Sequence, residues 1–227
     1  MAVYNRRATE RDTQGIVAVK RRVWPTETSS PERIAIVFRD PAHITLMAVL
    51  DGQALGFVDG FLTFAANGTS RWEIDLLAVH PRSQGQGMAT RLVEASTDAG
   101  RKASARLARG LVGVENIPSQ RTFARCGYTL EPELQALYIS STSAKAPVPE
   151  AAHLIPVSTL NYVGVWVEGT LPPESFAAGQ AIHAQNNWDV VGAVIPLSEP
   201  ASIWAAQAAG YTLVGYYRWW QLDLHES

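Results

Sequence analysis

The sequence predicts a mixed α/β fold: a larger unit built on a mixed sheet (α+β), then a smaller α/β unit. Three observations carry this. Two helical stretches are followed by two β-rich runs that read as an antiparallel meander, and then by strand, helix, strand, helix and strand in alternation. SSTSAKAPVPE, residues 140–150, has no periodicity and reads as a linker. Beyond it the chain echoes itself, Ala-Gly-Tyr-Thr-Leu at 209–213 after Cys-Gly-Tyr-Thr-Leu at 126–130. The expected division is 1–140, a linker at 141–150, and 151–227.

Each element has its own signal. Over residues 9–23, Ile16, Val19 and Val23 share a helical face, with Thr9 or Asp12 as cap and Pro25 as stop. Ser30, Pro31 and Glu32 announce a second helix that turns Ile34, Val37 and Phe38 inward. ITLMAVL and ALGFVDGFLTF flank Asp51-Gly52, a pair suited to a tight hairpin turn, and Asn67-Gly68 supplies another. RWEIDLLAV, residues 71–79, is apolar enough for a strand covered on both faces. A helix then runs from about Gly87 through Leu92 to about Lys102. LARGLVGV, residues 107–114, reads as a strand, and Pro118 to Arg125 as a short helix stopped by Gly127. In the second unit the pattern predicts a strand at 161–168, a helix near 174–186, a strand containing VVGAV at 190–194, a helix, and a long last strand, YTLVGYYRWWQLDL. The Ser119 to Gly127 interval recurs as Ser202 to Gly210.

Composition excludes several functions. With 227 residues and 47% hydrophobic content the chain can bury a proper core. A net charge of −2 and a pI near 6.2 argue against nucleic acid or an anionic membrane as partner. MAVYNRRATERD lacks the apolar core of a signal peptide, and the expectation is a cytoplasmic protein. Cys126 has no disulfide partner, and the histidines at 43, 80, 153, 183 and 225 show no ligand spacing, so no metal is expected.

HPRSQGQGMATRLVEA, residues 80–95, places two glycines where a strand passes into a helix. The first amides of a helix lack internal partners, and its dipole favours an anion there. Gly85 and Gly87 let backbone approach a ligand closely, and Arg82 adds a cation, so a phosphate or pyrophosphate fits. An ordinary turn that needs glycine for its geometry would look the same.

Arg82-x-x-Gly85-x-Gly87, preceded by LLAVHP and followed by MATRLV, resembles the acyl-CoA signature of the GNAT superfamily of N-acetyltransferases. ENIPSQRTFARCGY, residues 115–128, is similar to that family's second motif, and the likeness in element order spans residues 3–138. The resemblance implies a GNAT fold with a half-GNAT-like unit appended, and acetyl-CoA as co-substrate. It implies that the amides of Gln84, Gly85, Gln86, Gly87, Met88, Ala89 and Thr90 hold the pyrophosphate of coenzyme A. Leu77, Ala78 and Val79 would offer backbone to the pantetheine arm, and Asn116 would face the pantetheine or the sulfur end.

Acetyl transfer to an amine needs a base for the ammonium proton and a proton for the leaving thiolate. In strict alternation Glu73, Asp75, Leu77 and Val79 share one face. Glu73 is the expected general base, Asp75 the reserve; the plainer role for Glu73 is to pair with an arginine. Many relatives carry a Tyr at the position of Phe123, beside the cofactor sulfur, and phenylalanine has no proton to give. The thiolate then leaves unaided, or water or Ser119 serves, or the protein binds acyl-CoA without turnover. Cys126 reads as buried filler rather than a nucleophile.

In the second unit Pro172 and Pro173 stand where the first has glycines, Glu199 matches Asn116, and Ala206 matches Phe123. Proline offers no amide, so this unit is expected to bind no coenzyme A. Its last strand alternates Tyr216, Arg218, Trp220, Leu222 and Leu224 with Tyr217, Trp219, Gln221 and Asp223. These aromatics suit a core and unit interface, or a wall of the acceptor site or a dimer contact. The resulting expectation is an N-acetyltransferase, monomer or homodimer, that transfers acetyl to a primary amine, a small molecule by default, in a ternary complex. Residues 24–38 and 57–64 are expected to build its acceptor pocket. The alternatives are a non-catalytic acyl-CoA-binding or regulatory module and an interaction protein.

Overall fold

The computed structural model describes residues 3–27, 30–150, 152–169 and 171–225. Part of the expected acceptor segment, residues 28–29, lies outside that set. The chain opens with β1 (Tyr4–Arg7), which the sequence reading lacked because four residues with two arginines carry little apolar signal. A one-turn 3-10 helix at Glu10–Asp12 leads into α1 (Thr13–Val23). Its cap is the reciprocal one of Thr9 and Asp12, with the Thr9 amide donating to Asp12 Oδ2 at 2.9 Å. α2 (Pro31–Val37) is capped by Ser30, whose Oγ accepts from the Arg33 amide at 3.2 Å.

β2 (His43–Leu50) and β3 (Gln53–Phe64) form the expected hairpin, with Asp51 and Gly52 both at positive φ (49° and 79°), as a two-residue hairpin turn requires. β4 (Ser70–Val79), α3 (Met88–Lys102) and β5 (Leu107–Gly113) follow, with β4 and β5 parallel. α4 (Ile117–Arg125), the two-residue β6 (Thr129–Leu130) and β7 (Gln135–Ser140) complete the first stretch. The rest comprises β8 (His153–Ser158), β9 (Val163–Glu168), α5 (Pro173–Asn186), β10 (Val190–Pro196), α6 (Pro200–Ala208) and β11 (Thr212–Asp223). β9 and β10 are parallel, repeating the β4–β5 relation. Among the described residues no helix is long and apolar enough to cross a membrane.

All strands join one mixed sheet in the order β1-β2-β3-β4-β5-β11-β7-β10-β9-β8, with β6 on β11. The two segments have therefore exchanged strands. β11, from the last part of the sequence, lies between β5 and β7, and its Trp220, with Leu224 just beyond the strand, enters the core under α3 and α4. β7 pairs with β10 and contributes Ala136 and Tyr138 to the core of the second unit, around Val165, Phe176, Val191 and Ile195. The expected boundary at 140–150 thus describes the order of the chain and not the grouping of its strands. The exchange has a physical logic. Each strand covers an otherwise open sheet edge, and burying a large apolar side chain such as Trp220 contributes about 2–3 kcal/mol.

Candidate active site

β4 leaves β5 early. The two pair only at Arg71, Trp72 and Glu73, against Leu107, Ala108 and Arg109, so the edge of β4 from Ile74 to Val79 has no β5 partner. On the other side the β3 register slips, Asp59 facing Leu76 and Gly60 facing Ile74, which makes Asp75 the extra residue of a β-bulge. A bulge advances the side-chain alternation by one. Trp72, Ile74, Leu77 and Val79 face α3, while Leu76 and Ala78 pack with α1. The expected common face of Glu73, Asp75, Leu77 and Val79 is thereby overturned: beyond the bulge, Glu73's face continues with Leu76 and Ala78.

Past Val79 the chain turns through Pro81–Ser83, and the Gln84 side chain donates to the Val79 carbonyl at 3.0 Å, fastening the loop to the strand. Gly85 and Gly87 have φ of 75° and 71°, and a Cβ on either would meet nothing within 4 Å. Glycine is thus required there by backbone conformation, and the loop faces open space. Gly87 caps α3, whose first amides point into that space. Met88 is buried as an anchor, Ala89 and Thr90 are half-buried, and Arg82, Gln84, Gly85 and Gln86 are exposed. An amide-lined helix start beside a free strand edge is the kind of surface that suits a pyrophosphate and a linear amide-bearing arm.

The two carboxylates of β4 differ in environment. Glu73 is 2% exposed and receives both arginines, from Arg109 Nε at 2.8 Å and from Arg71 Nε at 3.3 Å, plus the Thr63 hydroxyl at 2.5 Å. The same arginines hold Glu168 of β9, at 2.7 Å from Arg71 and 2.6 Å from Arg109. Burial opposes ionisation of Glu168, but Arg109 and Arg71 outweigh it and hold its carboxyl below the ordinary range. Two acids and two guanidinium groups thus neutralise one another across the units, and Trp219 stacks on Arg109 with 3.9 Å from Cζ to the ring centroid.

Asp75 has no such partners. Burial first, then the charge of Asp59, pushes its pKa up to about 7, with His43 and Lys20 opposing. Asp59 is itself fully buried, taking a hydrogen bond from Thr45 and lying 3.5 Å from His43 Nδ1. Lys20 is buried against Asn161, and burial lowers its pKa. Asp75 lines a cavity of about 570 Å³ that opens where β4 and β5 part.

Residues 11–128, just over half of the chain, match the sequence profile of the Acetyltransferase (GNAT) family. The chain belongs to the GNAT acetyltransferase family. Among curated proteins, none has a sequence that matches this one. Solved GNAT structures share its fold over nearly its whole length. A GCN5-related N-acetyltransferase from Sphaerobacter thermophilus superposes with a TM-score of 0.62 at 13% identity, over 97% of this chain and 95% of that one. A putative acetyltransferase from Pyrococcus horikoshii gives 0.64 at 12%, over 97% and 89%. The GCN5-related glucosamine N-acetyltransferase region of a fungal multi-domain GH3 β-N-acetylglucosaminidase gives 0.65 at 12%, over 97% of this chain, which spans 38% of the fungal one.

The GNAT family uses acetyl-CoA, and the remaining motif residues of this chain sit as follows. Asn116 is exposed and caps α4, its Oδ1 accepting from the Ser119 amide at 3.2 Å. Phe123 is 3% exposed and sits in the core, edge-on to Tyr128 with centroids 5.0 Å apart and against Gly110 of β5, where a Cβ would collide with its ring. Cys126 is half-buried with its thiol directed at the Thr90 carbonyl, and burial raises its pKa to about 11, as expected of filler. Sequence reasoning did not foresee Arg71, two residues from Glu73 on β4, or Arg109 and Glu168, which lie on distant strands and reach Glu73 and its arginines only through the fold.

Proposed function

We propose that this GNAT enzyme is an N-acetyltransferase in which a small primary amine attacks acetyl-CoA directly in a ternary complex, with Asp75 as general base. The observation that carries the assignment is the Asp75 carboxyl, set at the bulge where β4 leaves β5, facing the cavity, with its pKa near 7. A base with that pKa is half-ionised at neutral pH and basic enough to take an ammonium proton. Glu73, the first expectation, already has its oxygens taken by Arg71, Arg109 and the Thr63 hydroxyl; its role in this reading is to anchor.

The residues divide the work. The amides from Gln84 to Thr90, with Arg82, hold the pyrophosphate, and the unpaired edge at Leu77, Ala78 and Val79 accompanies the pantetheine arm. Asn116 keeps the start of α4 in place at the same end. Acetyl-CoA supplies the activated thioester. Asp75 receives the amine's proton as the C–N bond forms and the C–S bond breaks. Phe123 has no hydroxyl, so coenzyme A, whose thiol is acidic enough for it to leave as the thiolate, takes its proton from water afterwards.

The test is release of free thiol when acetyl-CoA and a panel of primary amines are mixed with the full chain, with acetyl-CoA binding followed separately by calorimetry. Amine-dependent release that Asp75→Asn abolishes while acetyl-CoA still binds supports the reading. Tight binding with no release from any amine moves the protein to the acyl-CoA-binding alternative.

A further inference from the structure

The cavity in front of Asp75 is built by both units. β5 and β11 contribute Leu111, Tyr217 and Trp219; β7 contributes Leu137 and Ile139; β9 and β10 contribute Trp166, Val190 and Val194. Its volume of about 570 Å³ lies within the range of roughly 300–1,000 Å³ usual for small-molecule sites. What distinguishes it is how few polar groups on its wall remain unsatisfied.

The charges can be counted from the contacts. Glu73 and Glu168 face the cavity but are neutralised by Arg71 and Arg109. The Trp166 indole donates to the Tyr162 hydroxyl at 2.9 Å, and one face of Trp219 is taken by Arg109. The carboxylates left for a ligand are Asp75 at the floor and Glu27, exposed at the rim and only loosely met by the Asn161 amide at 3.5 Å. Lys20 lies nearby, donating to Asn161, and its ammonium acts on both Glu27 and Asp75. Two carboxylates set against the one Lys20 ammonium leave one negative charge, which suits one further ammonium. The opposite end is aliphatic and aromatic, where a second ammonium would be desolvated without a partner.

We infer that the acceptor is a monoamine with an apolar, preferably aromatic body, its ammonium between Asp75 and Glu27 and its body among Trp166, Tyr217 and Trp219, so that the second unit selects the substrate. This rests on the reading that acetyl transfer takes place in this cavity. It assigns the second unit a recognition role in place of the coenzyme A site it lacks.

The experiment uses the full chain with coenzyme A present and compares 2-phenylethylamine with spermidine, by calorimetry and tryptophan fluorescence and then by thiol release from acetyl-CoA. 2-Phenylethylamine is expected to bind at least about tenfold more tightly and to change the tryptophan emission. Trp166→Ala is expected to raise KM for 2-phenylethylamine about tenfold with kcat and KM for acetyl-CoA little changed. Val194→Phe, which fills the apolar end instead of opening it, should remove the same preference. Equal or tighter binding of spermidine, or a preference untouched by both variants, overturns the inference. Selective binding of 2-phenylethylamine without thiol release upholds the cavity's ligand class and overturns the acetyl-transfer reading, so the two fail separately.

Discussion

The molecule contains the same strand-helix-strand arrangement twice, and the two copies have diverged at their ligand ends. In β4-α3-β5, a ten-residue strand pairs with its parallel neighbour over three residues and then departs, and the helix starts at a glycine with positive φ. In β9-α5-β10, a six-residue strand stays paired over four, from Gly164 to Val167, and the helix is preceded by Pro172 and begins at Pro173. Gly164 helps to keep the second copy closed, since a Cβ there would collide with the Val190 carbonyl. Both copies bury a good core, so the difference lies at the strand edge and the helix start and not in packing. The first copy has a free strand edge and a glycine-opened helix start, whereas the second keeps its strand paired and begins its helix with Pro172 and Pro173, which have no N–H to give.

The largest expected effect breaks the link between the copies. Arg109→Met leaves Glu73 and Glu168 buried with half of their partners and should destabilise the fold by about 3–5 kcal/mol in urea unfolding. A loss under 1 kcal/mol would mean that the cross-unit cluster is dispensable. Next, Asp75→Asn should lower kcat/KM for an amine by about 100-fold or more. In the parent, kcat/KM should climb as pH rises through about 7, where Asp75 loses its proton, and the variant should lack that limb. A limb that persists in Asp75→Asn and disappears in Glu73→Gln would return the base to Glu73.

A smaller effect sharpens the loop comparison. Gly87→Val places a β-branched residue at φ 71° and should weaken acetyl-CoA binding about tenfold, whereas Pro173→Gly in the other copy should leave it unchanged by calorimetry. The smallest concerns stability. The folded-state pKa of Asp75 lies above its ordinary 3.8, so the fold favours the protonated carboxyl. That contribution is fully present below pH 3.8 and is lost as pH rises through 7. Asp75→Asn should therefore raise Tm at pH 8 more than at pH 4; the reverse order would contradict an uncharged preference at this site.

Much of the architecture was legible because local signals were strong. Asp51-Gly52, the Ser30 cap and the glycines of the 85–87 turn each require a particular backbone, and the structure has the corresponding turn, cap and loop there. β1 and β8 escaped because short strands with mixed residues lack a clear period. The site was legible as a loop but not as a set of carboxylates. Alternation counted along RWEIDLLAV misassigns the face because the bulge at Asp75 is set by pairing with β3, where Gly60 leaves room for the Trp72 indole.

What the sequence determined by itself was local or repetitive: the element order, the glycine-opened helix start at Gly87, and the prolines that open the corresponding helix of the second copy. Those features depend on backbone conformations that single residues permit or forbid. Only the tertiary structure decided that β7 and β11 trade places, that Glu73 is held by two arginines while Asp75 is not, and that the cavity beside Asp75 draws walls from both units. Those outcomes depend on which edges and faces meet, and residues 73, 109 and 168 become neighbours only when distant strands bury their apolar sides together.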